Sequence, residues 1–322
     1  MPVVHSEHLD PYTNLAVESC LLDRAAHIGP TLILWSNEPC VVLGRHQNPW
    51  LECNLREMSR HDVKLVRRIS GGGTVYHDPG NINFCFLLSD AQYDQERQFS
   101  VVLRALRELG IPAVKNERND LCVGSRKFSG NAFRHSKGNS LHHGTLLLNA
   151  DIEALTRYLA PPELGIETKA IASVRSQVIN LEESVPGLDR SELIAAFIRE
   201  FHREYEPDRP GLVSGTPAAR EAPSWWPARS EIEARVAELS SWEWVFGHTP
   251  SFSRRYTHGK QIAEVVVKRG VIQSIVSEGN AAEGIADATT PFVGVPLRGD
   301  AIRRVDCERS VLWLQQALLV DL

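Results

Sequence analysis

Hydrophobic positions along the first two thirds of the chain follow two kinds of pattern. Short, dense apolar runs occur at Thr31–Trp35, Cys40–Leu43, Val63–Ile69 and Asn83–Leu88, and their length and residue types predict strands. Elsewhere apolar residues recur at three- and four-residue steps. Val102, Leu103, Leu106 and Leu109 mark one helix, with Gly110 and then Pro112 as its stop. A second helix begins at Asp151, buries Ile152, Leu155 and Leu159, and ends before Pro161-Pro162. A third starts behind Ser191 with Ile194, Phe197, Ile198 and Phe201 on one face. The mixture predicts an α+β (mixed α/β) fold whose helices serve core packing.

Periodicity then breaks. Pro207, Pro210, Pro217, Pro223 and Pro227 fall close together, the composition of a semi-rigid linker. A boundary here divides the chain into a larger unit, residues 1–222, and a small α+β unit, residues 223–322. In the smaller unit Ser230 with Glu233 predicts a capping box for a helix carrying Ile232, Val236 and Leu239. The runs Gln261–Val267 and Val271–Val276 around Lys268-Arg269-Gly270 predict a hairpin, and a helical stretch through Leu312 to Leu319 closes the chain. No internal repeat or low-complexity tract is visible.

Composition narrows the classes of function. With 322 residues, 43% hydrophobic and 23% charged, the chain can bury a core of about two domains' worth. No apolar run approaches the roughly 18 residues that read as a membrane span, so no membrane insertion is expected. Thirty-five basic against 40 acidic side chains give a net charge of −5, which offers no general attraction to phosphate backbones; nucleic acid is not an expected partner. The first 25 residues carry Glu7, Asp10, Glu18 and Asp23 and no arginine before Arg24. That is the reverse of a transit peptide, and a cytoplasmic location is expected. The six cysteines are widely spaced with no C-x-x-C, so free thiols are expected rather than disulfides or a thiolate zinc site.

Three clusters carry candidate chemistry. The first is Arg67-Arg68-Ile69-Ser70-Gly71-Gly72-Gly73-Thr74-Val75-Tyr76-His77. Three consecutive glycines cost much backbone entropy on ordering, which close approach of a ligand to main-chain N–H groups would offset. Arginine suits paired contacts to phosphate or carboxylate oxygens. A flexible hairpin turn with a solvated basic flank explains the same residues equally well. Neither G-x-x-x-x-G-K-[ST] nor G-x-G-x-x-G is present, so the two commonest phosphate cradles are excluded. The second cluster, Asn119-Asp120 through Arg126-Lys127-Phe128-Ser129-Gly130, sets Lys127 among small residues where it could meet a ligand as a compact charge; taken alone it also fits a surface lysine. In the third, Leu141-His142-His143-Gly144-Thr145, adjacent strand residues face opposite ways. The two histidines are therefore not a shared metal site; one is expected to line a pocket and the other to face core or water.

In this order the clusters resemble the lipoate-protein ligase family, which shares its fold with biotin protein ligase catalytic domains. The resemblance begins near Asp10-Pro11-Tyr12-Thr13-Asn14-Leu15-Ala16 and continues through Val42-Leu43-Gly44-Arg45-His46-Gln47-Asn48-Pro49-Trp50 and the three clusters. It then takes in Ala172-Ser173-Val174-Arg175-Ser176 and Asn180-Leu181. The segment from Ser241 to Phe252 looks like the start of that family's accessory domain.

The resemblance implies an enzyme that joins lipoate to ATP, giving lipoyl-AMP and pyrophosphate, and then transfers the lipoyl group to a lysine of an apo lipoyl domain. The acceptors implied are the acyltransferase (E2) subunits of 2-oxoacid dehydrogenases and the glycine-cleavage H protein. ATP and Mg²⁺ are the implied cofactors, with the ion bridging the triphosphate rather than held in a protein cage. Carried over by position, Arg68, Gly73, Thr74, Val75, Tyr76 and Lys127 contact the adenylate, and Lys127 is the catalytic residue. Ser70, Gly71, Gly72, His77, Asn81, Asn83, Asp120, His143 and Gly144 are expected around the lipoate and adenylate pocket, with Val42, Leu43 and Val75 as candidate walls for the apolar tail. Pro79 and Phe128 depart from the family's usual residues without touching the phosphates. Three alternatives stay open: a lipoyltransferase using preformed lipoyl-AMP or a lipoylated carrier without ATP, a non-catalytic lipoyl-domain binder, and, disfavoured by the missing G-R-G-R loop, a biotin ligase. A thioester route needs a cysteine nucleophile, and none lies between Cys122 and Cys307.

Overall fold

A computed structural model describes residues 1–161, 165–174, 176–206, 223–278, 288–320 and 322. The centre is a five-stranded sheet in the order β1 (Val3–His5), β2 (Thr31–Trp35), β6 (Asn81–Ser89), β11 (Asn139–Leu147), β10 (Asn131–Ser136). Its one parallel pair is β1 with β2; the other pairings are antiparallel. Strand alternation divides its side chains between two layers. Phe84, Phe86 and Leu88 face a core shared with α5 (Gln95–Glu108) and α8 (Arg190–Tyr205), where Phe99, Phe197 and Phe201 are buried. Cys85 and Leu87 face a second core with α1 (Pro11–Leu22) and β3 (Cys40–Leu43).

Two small sheets flank the central one. In the order β4 (Lys64–Arg67), β3, β5 (Val75–His77), one holds the triglycine segment as the connection between its outer strands. The other, β7 (Ala113–Lys115), β8 (Leu121–Val123), β9 (Arg126–Ser129), carries Asp120 and Lys127.

The expected elements are present with shifted ends. The run Val63–Ile69 is a strand only over Lys64–Arg67, because Asp62 takes φ 52° before it and the chain leaves the sheet at Arg68. The third helix starts two residues earlier than expected, at Arg190, capped by Asp189, whose carboxylate accepts from the N–H groups of Ser191 and Glu192. The capping box is also displaced. The helix α9 spans Arg229–Leu239, and Glu231, not Glu233, reaches back to the Ala228 N–H. Glu233 instead pairs with Arg229 one turn away.

The proline-rich boundary at 207–222 lies outside the described residues. Past it, Trp225, Trp226, Ile232, Val236, Leu239, Trp244 and Val245 pack into the second core beside α1 and β2. A core of its own appears with β13 (Phe252–His258), β14 (Gln261–Lys268) and β15 (Val271–Glu278), joined at the edge by β12 (Ile166–Thr168) from the preceding unit. The hairpin turn falls as expected, with Arg269 at φ 55° and Gly270 at φ 72°, the left-handed pair that suits a two-residue connection. Trp50 anchors this core to the larger unit, its ring 5.1 Å from Phe252 and 5.4 Å from Phe246. Among the described residues, no helix is long and apolar enough to cross a membrane, and all six cysteines are free.

Candidate active site

A cavity of about 280 Å³ opens between the central sheet and the two small ones. Its walls bring together most of the residues singled out in the sequence: Arg68, Gly72, Gly73, Thr74, Val75, His77, Asn83, Asp120, Lys127, His143 and Gly144. Gly73 and Lys127, 54 positions apart in the chain, thus face one space. Leu15, Trp35, Val42 and Val75 form apolar wall, while Arg118, Asp120 and Lys127 supply charge.

The glycine segment is ordered by an arginine rather than left slack. The Arg68 guanidinium donates to the carbonyls of Gly71 (3.1 and 2.5 Å), Gly73 (2.8 Å) and Val42 (3.2 Å) and to Ser70 Oγ (3.0 Å). Fully engaged in this way and buried, it organises the loop that would cradle a ligand, and burial lowers its pKa to about 10. Gly72 holds φ +85°, and a Cβ there would meet Arg68 Nη2 at 2.9 Å, so the turn excludes larger residues.

Lys127 is placed by β9, whose alternation sends Phe128 into the first core and Lys127 toward the cavity. Its main chain is fastened on the outer side, N–H to Gln177 O (2.9 Å) and C=O to Ile179 N–H (3.0 Å). Its Nζ lies 2.7 Å from Asp120 Oδ1. Gly130 leaves room for this ammonium; a Cβ there would sit 3.1 Å from Nζ.

A polar chain runs behind the cavity. Ser70 Oγ accepts from Arg68 and donates to His143 Nε2 (2.7 Å), whose Nδ1–H donates to Glu18 Oε2 (2.7 Å). Leu15 and Glu18, one turn apart on α1, give the cavity a wall and that chain its end. His77, 5% exposed, accepts at Nδ1 from Asn37 Nδ2 (2.9 Å), an orientation fixed because Asn37 Oδ1 accepts from Asn14. Burial, with the charges of Arg68 and His143, lowers the His77 pKa to about 3. His142 turns the other way, into the phenylalanine core, where its Nε2 donates to Asn131 Oδ1 (3.0 Å). One histidine of the pair therefore lines the cavity and its neighbour is core.

Several expected residues stand elsewhere. Tyr76, between Val75 and His77, points out of the cavity and packs on Tyr158, ring centroids 5.6 Å apart. Leu43 lies in that same outer cluster. Ser70, Gly71 and Asn81 are not wall residues; Ser70 acts through Arg68 and His143, and Asn81 donates to Asn83 Oδ1 (3.1 Å). Arg67, fully buried, faces the accessory segment: it donates to the carbonyls of Val245, Gly44, Arg45 and Gln47 and to Thr249 Oγ1.

Three contributors were not singled out in the sequence: Gln47, Ser173 and Arg118. Gln47 accepts at Oε1 from Gly44 N–H (3.0 Å) and Thr74 Oγ1 (2.7 Å) and donates from Nε2 to Ser173 Oγ (2.9 Å). Ser173 Oγ also accepts the Thr74 N–H (2.9 Å), and its own N–H is held by the Glu52 carboxylate. The segment Ile171–Val174 is thereby tied across the glycine loop, with Ile171 and Val174 left 64% and 66% exposed at the cavity wall. Gln47 and Ser173 do lie inside quoted motifs, so their position was legible while their roles were not. Among the described residues no group of three or more histidine, cysteine or carboxylate side chains could hold a metal ion. Among the described residues, Asp120 is the one carboxylate in the cavity wall.

The fold recurs in solved proteins. LipL1 of P. falciparum, in complex with lipoate, is 25% identical over 99% of this chain and 100% of its own, with a TM-score of 0.65. A lipoate-protein ligase A bound with ATP is 24% identical, covering 76% of this chain and 97% of its own, at a TM-score of 0.60. The bipartite lipoate protein ligase of Thermoplasma acidophilum, described with its E2 lipoyl domain, is 23% identical over 76% of this chain and 94% of its own, also at 0.60. Residues 10–202, from the cap of α1 to the last turns of α8, match the lipoyl protein ligase A/B catalytic domain. That span includes each cavity residue described above, and the chain accordingly belongs to the lipoyl protein ligase A/B catalytic-domain family.

Proposed function

We propose that this protein is an ATP-dependent lipoate-protein ligase that acts in the cytoplasm on apo lipoyl domains, those of 2-oxoacid dehydrogenase E2 subunits and the glycine-cleavage H protein. The observation that carries the reading is the shared cavity. An arginine-ordered glycine loop and a lysine ammonium face an apolar wall of Leu15, Trp35, Val42 and Val75, which suits a molecule charged at one end and aliphatic at the other. Relatives of the same fold bind lipoate and ATP, and one is paired with an E2 lipoyl domain.

In the first step a lipoate carboxylate oxygen attacks the α-phosphorus. The bond to the β-phosphate oxygen breaks and pyrophosphate departs with the electron pair. Negative charge grows on the phosphate oxygens, where Lys127 and the N–H groups of the loop stabilise it without reorganisation. In the second step the acceptor lysine amine attacks the acyl carbon, the bond to AMP breaks, and the amine gives up a proton. Lys127 again meets the leaving phosphate, so both steps depend on placement and charge rather than on a covalent enzyme intermediate. Asp120, the carboxylate paired with Lys127, would be the residue to contribute to holding a Mg²⁺ ion that came with the phosphates, and such an ion would neutralise part of their charge.

The test is mass spectrometry of an apo lipoyl domain after incubation with the protein, lipoate, ATP and magnesium. A lipoyl mass increment that requires ATP is expected. An increment obtained only from supplied lipoyl-AMP would make the protein a transferase, and none from either source would leave a lipoyl-domain binder.

A further inference from the structure

Among the described residues lining the cavity, three carry a fixed positive charge: Arg68, Lys127 and Arg118. Two are already committed. Every donor direction of Arg68 that the loop can fill is taken by carbonyls and Ser70, and Lys127 is paired with Asp120 at 2.7 Å. The Arg118 guanidinium is exposed and makes no hydrogen bond or ion pair with the described residues. A polyanion entering this cavity therefore finds its uncommitted charge at Arg118.

The backbone under Arg118 is fixed although its side chain is free. Asn116 Oδ1 accepts the N–H groups of both Arg118 and Asp120, each at 2.9 Å. Asn119, at φ 63°, accepts at Oδ1 from Gln95 (3.0 Å) and at its carbonyl from Asn131 (2.9 Å). The turn 116–120 is thus braced by its own Asn116 and from two other elements, and it leads directly into Asp120 and the strand paired with Lys127. Arg118 stands at the exposed rim while Lys127 is half-buried below it. Were Lys127 to meet the α-phosphate, this rim cation would be the one open to phosphates directed outward from it.

We propose that Arg118 is a phosphate-binding residue that holds the β- and γ-phosphates of ATP and receives the departing pyrophosphate. The assignment rests on the ligase reading above. It predicts an effect confined to the first step, because lipoyl-AMP carries neither of those phosphates.

The experiment separates the two half-reactions in the full-length protein, using Arg118→Ala and Arg118→Lys. Wild-type protein must first release pyrophosphate when given lipoate, ATP and magnesium; if it does not, the ligase reading fails independently of Arg118. Given that release, Arg118→Ala is expected to raise the KM for ATP about 10- to 100-fold, the size of one lost charge-assisted contact. Transfer from supplied lipoyl-AMP to an apo lipoyl domain should keep its KM and rate within about twofold. Arg118→Lys should recover part of the ATP affinity, because charge remains while the fork is lost. An unchanged KM for ATP, an equal loss in both half-reactions, or a rise only in the KM for the lipoyl domain would each overturn the proposal. The last pattern would place Arg118 at the acceptor surface instead.

Discussion

Lys127 and Asp120 form an ion pair of 2.7 Å inside the cavity, between a lysine on β9 and an aspartate at the foot of β8. The pair aims the ammonium, and the absence of a side chain at Gly130 leaves it space. Removing the ammonium should remove a preorganised charge, a loss typically of about 2.7 to 4 kcal/mol in the barrier. Lys127→Ala is therefore expected to lower the rate of lipoyl transfer from lipoate and ATP by about 100-fold or more, read by mass spectrometry of the acceptor. An unaltered rate would take Lys127 out of the chemistry.

Gly130→Ala probes the same ammonium without deleting it. The added methyl would stand 3.1 Å from Nζ and 3.2 Å from Cε, close enough to push the tip of a flexible side chain aside. The tip must yield by a few tenths of an ångström, so activity is expected to fall by up to about tenfold, while the melting temperature stays near that of wild type. A parent-like rate would show that the tip relocates harmlessly.

Arg67 should behave in the opposite way. Its guanidinium satisfies four main-chain carbonyls and one hydroxyl, joining the 44–47 turn to the accessory segment at Val245 and Thr249. Truncation strands several buried acceptors, each costing about 1 to 3 kcal/mol. Arg67→Ala is expected to destabilise the fold by about 3 kcal/mol or more in urea unfolding, and Arg67→Lys should restore only part because an ammonium cannot reach so many acceptors. Wild-type stability in the alanine variant would contradict this account.

Two buried histidines make stability fall in acid. Burial lowers the pKa of His77 to about 3 and that of His142 well below its usual 6.5. The folded state therefore binds fewer protons than the unfolded chain below pH 6.5, so unfolding free energy decreases as pH drops from there toward 3. His77 contributes up to about 1.4 kcal/mol per pH unit in that window, and His142 acts in the same direction. Urea unfolding at pH 7 and pH 5 should show the loss, and His77→Asn should reduce its slope. Equal stability at the two pH values would mean that these rings are not held neutral.

Gln47 links the glycine loop to the segment that crosses it, through Thr74 Oγ1 at 2.7 Å and Ser173 Oγ at 2.9 Å. Gln47→Leu should loosen that segment, with faster amide hydrogen exchange over residues 171–174 and kcat/KM lowered by about tenfold. Undisturbed exchange there would show that Glu52 alone fastens the segment.

How legible the site was depended on the range of its contacts. Gly72 and Gly73 could be read because a run of glycines is costly unless something approaches the main chain. Phe197, Phe201 and the hairpin at Arg269-Gly270 followed local rules of period and turn chemistry, and they came out where expected. Tyr76 was misplaced because a motif names consecutive residues, whereas a strand sends alternate ones to opposite sides. Arg67 and Arg68, identical in type and adjacent, have unrelated partners, 20 to 182 positions away for Arg67 and chiefly within the next five residues for Arg68, and nothing local separates them. Arg118 escaped notice for a related reason: the role proposed for it rests on its lacking a partner among the described residues, which only the positions of Asp120 and the loop carbonyls make visible.

The edge strand β12 gives the C-terminal sheet a grip on the cavity wall. Ile166, Glu167 and Thr168 run opposite Arg254, Ser253 and Phe252, and Ser173, which meets the glycine loop, follows only five residues later. Such a short leash leaves little slack. A tug on the distal module is delivered straight to the roof over the cavity, so shearing that module away would unmoor the roof even with every cavity residue still in the chain.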